Sequence, residues 1–263
     1  MLLPLIELYR RFRYFHYGWK GDFATWEEAK SKCTGYNADT IIQKVRNAAL
    51  KVKNGEAVFE KDSVLYDHII YSWPLLANLL YVASKNNNRL SVLDFGGALG
   101  TTYYQNRAYL NHLSKLQWTV VEQKEFVAIG KEEMTDDVLQ FFYTIDEALA
   151  KQQFDVFVFS GALPYFEKPY ELIESIMDYK FPYIILDLTY FNPEPRDRIT
   201  IQKVHPYYYN ASYPAWFLQY QKLKDLFLTK YDLVSEHVND ESLFLYGKKV
   251  PYQGFTMKLK GLD

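Results

Sequence analysis

One cysteine, Cys33, stands among 263 residues. No disulfide can form within the chain and no cysteine-based zinc cluster can be built, so a reduced, cytoplasmic setting is expected. Charge of one sign is equally scarce. Lys+Arg 30 against Asp+Glu 32 leaves a net charge of −2, which provides no field to recruit nucleic acid. Long apolar runs are missing too. Residues 69–83 are interrupted by Ser72, Pro74 and Asn78 and fall short of a membrane span. The segment Met1–Glu7 meets a charge too soon for a signal-peptide core. Arg10, Arg11 and Arg13 follow apolar residues there, which leaves peripheral contact with the inner face of a membrane as an alternative to a helix docked on its own domain. The five histidines, His16, His68, His112, His205 and His237, form no metal-ligand spacing. No Gly-x-Ser-x-Gly elbow or phosphate-binding lysine loop is present.

What the chain has in quantity is aromatic surface, Tyr 24 and Phe 18, most of it expected in core and shell. What it has in one place is chemistry. Residues 90–100 run Leu-Ser-Val-Leu-Asp-Phe-Gly-Gly-Ala-Leu-Gly, an apolar strand ending in an acid, then a glycine-rich turn, with a helix-like segment from Thr101. Such a strand–turn–helix presents backbone N–H groups to a small polar ligand. A dinucleotide fold wants G-x-G-x-x-G, but Ala98 and Thr101 occupy the second and third glycine positions. Aligned as D-x-G-x-G-x-G, the segment offers Asp94, Gly96, Ala98 and Gly100, with Gly97 between them. A side chain at Gly100 is expected to enter ligand space. The next apolar strand, Trp118–Val121, ends in Glu122, at the distance where nucleotide-binding folds place the acid that holds the ribose hydroxyls.

From Leu90 onward strands and helices alternate. Strands are predicted near 90–95, 118–122, 140–143, 154–159, 183–187, 231–238 and 253–259, and helices over 101–115, 123–133, 145–152, 169–179 and 215–229, giving a mostly parallel sheet covered on both faces. The first 85 residues look helical. Thr25 and Glu28 form a capping box, Ile41, Ile42, Val45, Ala49 and Val52 keep helical spacing, and Ser63 is placed to cap a further helix that Pro74 breaks or kinks. Residues 1–85 are therefore expected as a helical cap over the carboxyl edge of a domain spanning 86–263. The segment 192–213, with Pro193, Pro195 and Pro206, is expected as an irregular lid.

Larger blocks carry a resemblance. Gly18-x-x-Gly21 with Trp26-Glu27-Glu28-Ala29, Gly35-Tyr36, Phe59-Glu60-x-Asp62, Val92–Gly100, Tyr104-Gln105-Asn106-Arg107, Trp118-x-Val120-Val121-Glu122-Gln123, Ser160–Tyr165, Asp197-Arg198-Ile199-Thr200-x-Gln202 and Ala211-Ser212-Tyr213-Pro214 are similar to those of a group of bacterial methyltransferase-like proteins met among cell-surface polysaccharide genes. The resemblance implies a Rossmann-like class I methyltransferase α/β fold with a seven-stranded sheet, and S-adenosyl-L-methionine as methyl donor. It implies a small-molecule or glycan-precursor acceptor. Ala98 departs from the general class I methyltransferase loop, which has glycine there, and Leu188 departs from the group's pattern, which has arginine after Asp187.

On this basis Asp94, Gly96, Gly97, Ala98, Gly100, Gln105, Glu122, Gln123, Ser160 and Tyr165 are the expected donor contacts. Tyr17, Trp19, Tyr208 and Tyr213 offer aromatic faces to an acceptor. Methyl transfer to oxygen needs a proton removed. His205, inside the irregular segment, is the first candidate base and Asp187, ending an apolar strand, the second. Each of these has a plain structural alternative, as a loop histidine, a strand-end cap or a surface aromatic. A catalytically silent protein of the same fold is the rival function. An NAD-dependent oxidoreductase is disfavoured by Asp94 before the loop and Ala98 within it.

Overall fold

The computed structural model describes residues 16–34, 38–208 and 210–262. The basic N-terminal segment and Gly35-Tyr36 lie outside them. In chain order the elements are β1 (Gly18–Phe23), α1 (Trp26–Ser31), α2 (Ala38–Lys53), β2 (Phe59–Lys61), β3 (Val64–Tyr66) and α3 (Trp73–Lys85). The alternating part follows: β4 (Arg89–Phe95), α4 (Thr101–Leu110), β5 (Lys115–Val121), α5 (Lys124–Ile129), β6 (Leu139–Phe142), α6 (Ile145–Leu149), β7 (Val156–Ser160), α7 (Pro169–Asp178) and β8 (Tyr183–Tyr190). Last come β9 (Arg198–Lys203), β10 (Ser212–Phe217), α8 (Tyr220–Leu228), β11 (Tyr231–Leu245) and β12 (Lys248–Leu259).

The sheet runs β10-β9-β1-β11-β12-β8-β7-β4-β5-β6. The seven strands from the β6 edge to β11, numbered among themselves, read 3-2-1-4-5-7-6. Five of these, β4 to β8, pair in parallel, while β12 lies antiparallel to both β8 and β11. That is a doubly wound order with an antiparallel strand set in beside the fifth, a methyltransferase-like α/β fold with its switch point between β4 and β7. The expected count of seven strands is too low. Ten are joined, because β11 continues past the end of β8 to Leu245, and β1, β9 and β10 add on to its free edge.

Both faces of the parallel strands are dry. Leu90 and Val92 on β4, Trp118 and Val120 on β5, Val156 and Val158 on β7, and Tyr183 and Ile185 on β8 share one cluster with α2, α3 and α4. Leu93, Phe157, Phe159 and Leu186 face the other way, onto Ile173 of α7 and Phe227 of α8. The alternation of strand side chains makes this split.

Among the described residues no helical cap forms over the carboxyl edge. The apolar stripes of α2 (Ile41, Val45, Ala49, Val52) and α3 (Leu75, Leu79, Val82) join the main core instead, so these helices are the sheet's own covering layer. Thr25 does cap α1, accepting the Glu28 N–H on Oγ1 at 3.1 Å, while the reciprocal bond of the expected capping box is shifted by one residue, Glu28 Oε2 accepting the Ala24 N–H at 3.2 Å. Ser63 does not cap a helix. Asp62 and Ser63 both have positive φ, 52° and 66°, and turn the β2–β3 hairpin as a mirror-type tight turn does. Pro74 does not break α3 but stands in its first turn, where its missing N–H is no loss. The segment 192–213 is not wholly irregular, since β9 and the start of β10 fall in it, and residues 215–217 are strand rather than helix. Among the described residues no helix is long and apolar enough to cross a membrane.

Candidate functional site

The turn between β4 and α4 is built from left-handed residues. Gly96, Ala98 and Gly100 have φ of 76°, 49° and 91°. Ala98 thus adopts the conformation of the glycine it replaces. Gly97 is required for a different reason. A β-carbon there would lie 2.5 Å from Asp94 Oδ2, because the Asp94 carboxylate is folded beneath the loop. Gly100 also departs from expectation: its β-carbon would meet Leu139 Cδ2 of β6 at 2.9 Å, so the space beside it belongs to the core rather than to a ligand.

Asp94 is buried, and Trp118 Nε1 of β5 donates to its Oδ2 at 3.1 Å. Burial raises its carboxyl to about 7, and the charge of Glu122 adds to the rise, against the hydrogen bonds from Trp118 and Thr102. Glu122 is half-buried just past β5. Its carboxylate accepts the backbone N–H groups of Gln123 and Ala98, and burial holds its pKa above the ordinary glutamate value despite them.

Register brings further polar groups to the same edge. Ser160, the last residue of β7, pairs with Asp187 of β8, two residues beyond the level of Asp94. The alternation that turns Val92, Val120, Val158 and Ile185 toward α3 and α4 turns Asp94, Glu122, Ser160 and Asp187 the same way. Three acids and a hydroxyl therefore share one face at the carboxyl ends of neighbouring strands. Asp187 is fully buried, and a β-bulge sets it and Leu188 against Gly254 of β12. Leu188, at the position of the expected arginine, has φ 46°. Asp187 Oδ1 accepts from His237 Nε2 at 3.0 Å and Asn239 Nδ2 at 3.2 Å, while Oδ2 has no partner.

Glu60 of β2, which the first 85 residues were expected to bring towards the donor along with Tyr17 or Trp19, reaches this edge. It is buried, accepts from Thr101 Oγ1 at the start of α4, and leaves Oε2 unpartnered. Burial raises it to about 7. Lys61 then bridges to Glu241 on the β11 extension at 2.7 Å, so the β2–β3 hairpin spans from the glycine loop to β11.

The other expected donor residues stand as follows. Gln105 is buried in α4, its Nε2 donating to the Ile70 carbonyl and its Oε1 accepting from Asn106; it ties α4 to the segment before α3. Gln123 is exposed at the N-cap of α5. The Tyr165 hydroxyl donates to Gln202 Oε1 of β9 at 2.7 Å, and its ring meets Tyr213 of β10 edge-on at 5.3 Å. Trp19 is buried and donates to the Tyr190 hydroxyl at 2.9 Å. Tyr17 packs edge-on against His205 at 4.5 Å, in the β9–β10 turn, where His205 Nδ1 accepts from the Tyr207 N–H. The Tyr208 carbonyl accepts from Lys44 of α2. His205 and Asp187 are thus on separate elements, and the histidine that touches Asp187 is His237. Its signal in the sequence was faint: Ser235, His237 and Asn239 alternate along a strand, with a glycine on the partner strand.

No family model matches the chain, and no curated protein matches it in sequence. Among solved structures it is similar to the N-terminal domain of EvdMO1 crystallised in the presence of SAH and D-fucose, at 12% identity over 83% of this chain and 97% of that one, with a TM-score of 0.48. It is also similar to a SAM-dependent methyltransferase from Methanosarcina mazei, at 14% identity over 72% and 99%, TM-score 0.49. A third is magnesium protoporphyrin IX methyltransferase from Synechocystis PCC 6803 with bound SAM, at 11% identity over 85% and 86%, TM-score 0.44.

Proposed function

We propose that the chain is an S-adenosylmethionine-dependent methyltransferase whose acceptor is a hydroxyl of a sugar or a surface-glycan (capsule or lipopolysaccharide) precursor. The observation that carries this reading is the run of acids on one face of the carboxyl edge, Asp94, Glu122 and Asp187, joined by Glu60 from the hairpin. A pyrophosphate placed against buried carboxylates would be repelled, whereas a ligand bearing a sulfonium and an ammonium is attracted. Two of these acids, Glu60 and Asp187, keep a buried oxygen with no partner, which is costly unless a ligand supplies donors or positive charge. The residues present therefore fit this donor.

When bound, S-adenosyl-L-methionine supplies a methyl group activated on sulfur. The chain's part is to hold and orient. Glu122 would hold the ribose hydroxyls, and the backbone of the Gly96–Gly100 turn would hold the nucleoside and methionine parts. Asp94 and Glu60 hold the cationic end. Tyr165 and Tyr213, with Tyr17, Trp19 and Tyr208 around them, supply the aromatic wall for an acceptor, and of the two expected proton-handling residues Asp187 is the one aligned with the acids of this edge. The choice of a glycan acceptor is supported by the sequence resemblance.

Calorimetry on the full chain with S-adenosylmethionine, S-adenosylhomocysteine and NAD tests the donor. The first two bind and NAD does not. Binding of NAD alone, or of none of the three, ends this reading.

A further inference from the structure

His237 reaches Asp187 across an intervening strand. β12 lies between β8 and β11, and the β12 residue opposite His237 is Gly254. A β-carbon on Gly254 would stand 2.5 Å from His237 Nε2 and 2.0 Å from the Leu186 carbonyl oxygen. The absence of a side chain there is what lets the imidazole lie over β12 to the neighbouring strand. The rest of the surroundings is polar and ordered. Asn239, two residues on, donates to both Asp187 Oδ1 and Ser72 Oγ just before α3, and Ser235, two residues back, donates to Asn78 Oδ1 within α3 at 2.9 Å.

This arrangement fixes the imidazole's hydrogen. A carboxylate only accepts, so Nε2 carries a proton, and in the neutral imidazole Nδ1 then keeps its lone pair. That Nδ1 is buried and has no partner, and the same holds for Asp187 Oδ2. A polar knot serving only to join β8 to β11 would be expected to satisfy these atoms, because an unpaired buried acceptor is destabilising. The pair also stands where transfer chemistry would occur. Asp187 is opposite Ser160 in the parallel register, on the face of Asp94 and Glu122.

Resting on the methyltransferase reading above, we propose that His237 is the general base of the site and that Asp187 and Asn239 are the positioning residues that hold its ring. His237 Nδ1 takes the proton of the acceptor hydroxyl as that oxygen forms its new bond to the methyl carbon. The electron pair of the breaking carbon–sulfur bond returns to sulfur, which becomes a neutral thioether. The positive charge is conserved, passing to the imidazolium, and Asp187 balances it.

The test needs no acceptor. The full chain, labelled with 15N-histidine, is saturated first with S-adenosylhomocysteine and then with S-adenosylmethionine, ligands that differ by the methyl group and its positive charge. The expected result is an Nε2–H tautomer for His237, with a bare Nδ1 whose resonance moves between the two complexes more than that of His68, His112 or His205. A hydrogen on Nδ1, or an Nδ1 resonance that is the same in both complexes, overturns the assignment. In parallel, His237→Gln and His237→Asn are expected to bind S-adenosylhomocysteine within about threefold of the parent, since a base acts on the rate rather than on donor binding. A loss beyond about tenfold in both variants places His237 in the donor site or the framework, and also overturns it. If the parent binds neither ligand, the methyltransferase reading fails first and the base assignment falls with it.

Discussion

The backbone N–H of Ala98 is bonded to the carboxylate of Glu122. The residue that breaks the glycine motif is thus the one that ties the loop to the acid at the end of the neighbouring strand. Ala98 manages this at φ 49°, a left-handed conformation that costs an alanine about 1–2 kcal/mol. Replacing it by glycine relieves that strain but adds about 0.4–1 kcal/mol of unfolded-state entropy. Urea unfolding of Ala98→Gly should therefore show stability equal to the parent or up to about 1.6 kcal/mol higher. Ala98→Val, β-branched in the same conformation, should lose stability. A valine variant as stable as the parent would contradict the loop geometry.

Glu122 should be separable from folding. Its side chain is half-buried and its partners are backbone N–H groups at the loop and at α5. Glu122→Ala removes the charge-assisted acceptor for a ribose, and S-adenosylhomocysteine binding should weaken by roughly 1.5–3 kcal/mol. Calorimetry reads the affinity and thermal unfolding reads the fold. Unchanged affinity would remove Glu122 from the nucleoside site.

Gly100 and Gly97 divide differently. At Gly100 a side chain meets Leu139 in the core and must adopt φ 91°. Gly100→Val combines left-handed strain with overpacking, a loss of roughly 2–5 kcal/mol in urea unfolding. At Gly97 the new methyl meets the Asp94 carboxylate instead. Gly97→Ala should displace that carboxylate from Trp118, and the near-ultraviolet circular dichroism of the tryptophan should change with it. A Gly100→Val protein with parental stability would refute this division.

How far the sequence led can be argued from the same elements. The strand–glycine–helix unit at 90–110 and the acid at Glu122 are legible because their determinants are local, a buried apolar run followed at once by turn residues. The wing of β1, β9 and β10 is not. Gly18 and Gly21 argue against a strand, and β1 finds its partners about 180 residues away, at Lys203 and Gln202, where the prolines suggested a lid. The β2–β3 hairpin was hidden by a turn of Asp62 and Ser63 in place of the usual Asn-Gly. Around Asp187, the bulge at Leu188 and the gap over Gly254 are tertiary facts, and a lone histidine in a strand announces neither. For Gln105 the gap has a related cause: nothing local shows that its amide bonds to the Ile70 carbonyl.

Asp94 and Glu60 make the protein's response to pH informative. Burial raises both carboxyls to about 7, above their values in the unfolded chain. Between about pH 4 and pH 7 the native state therefore holds more protons than the unfolded state. Stability falls as pH rises through that window and levels off above it, because the folded protein must then ionise acids that burial disfavours. Donor binding runs the other way, since a cationic ligand needs those acids ionised. S-adenosylmethionine affinity should rise at least about tenfold between pH 6 and pH 8, the range spanning one group titrating near 7. Asp94→Asn separates the two effects. The amide keeps an acceptor for Trp118 Nε1 but carries no charge, so at pH 8 the variant should be more stable than the parent while binding the donor less well. That gap should narrow as pH falls through the window and close only below about pH 4, where Asp94 is protonated in the folded and the unfolded chain alike. A variant less stable than the parent at pH 8 would mean that the Asp94 charge supports the fold, and the assignment of that charge to ligand binding would have to be abandoned.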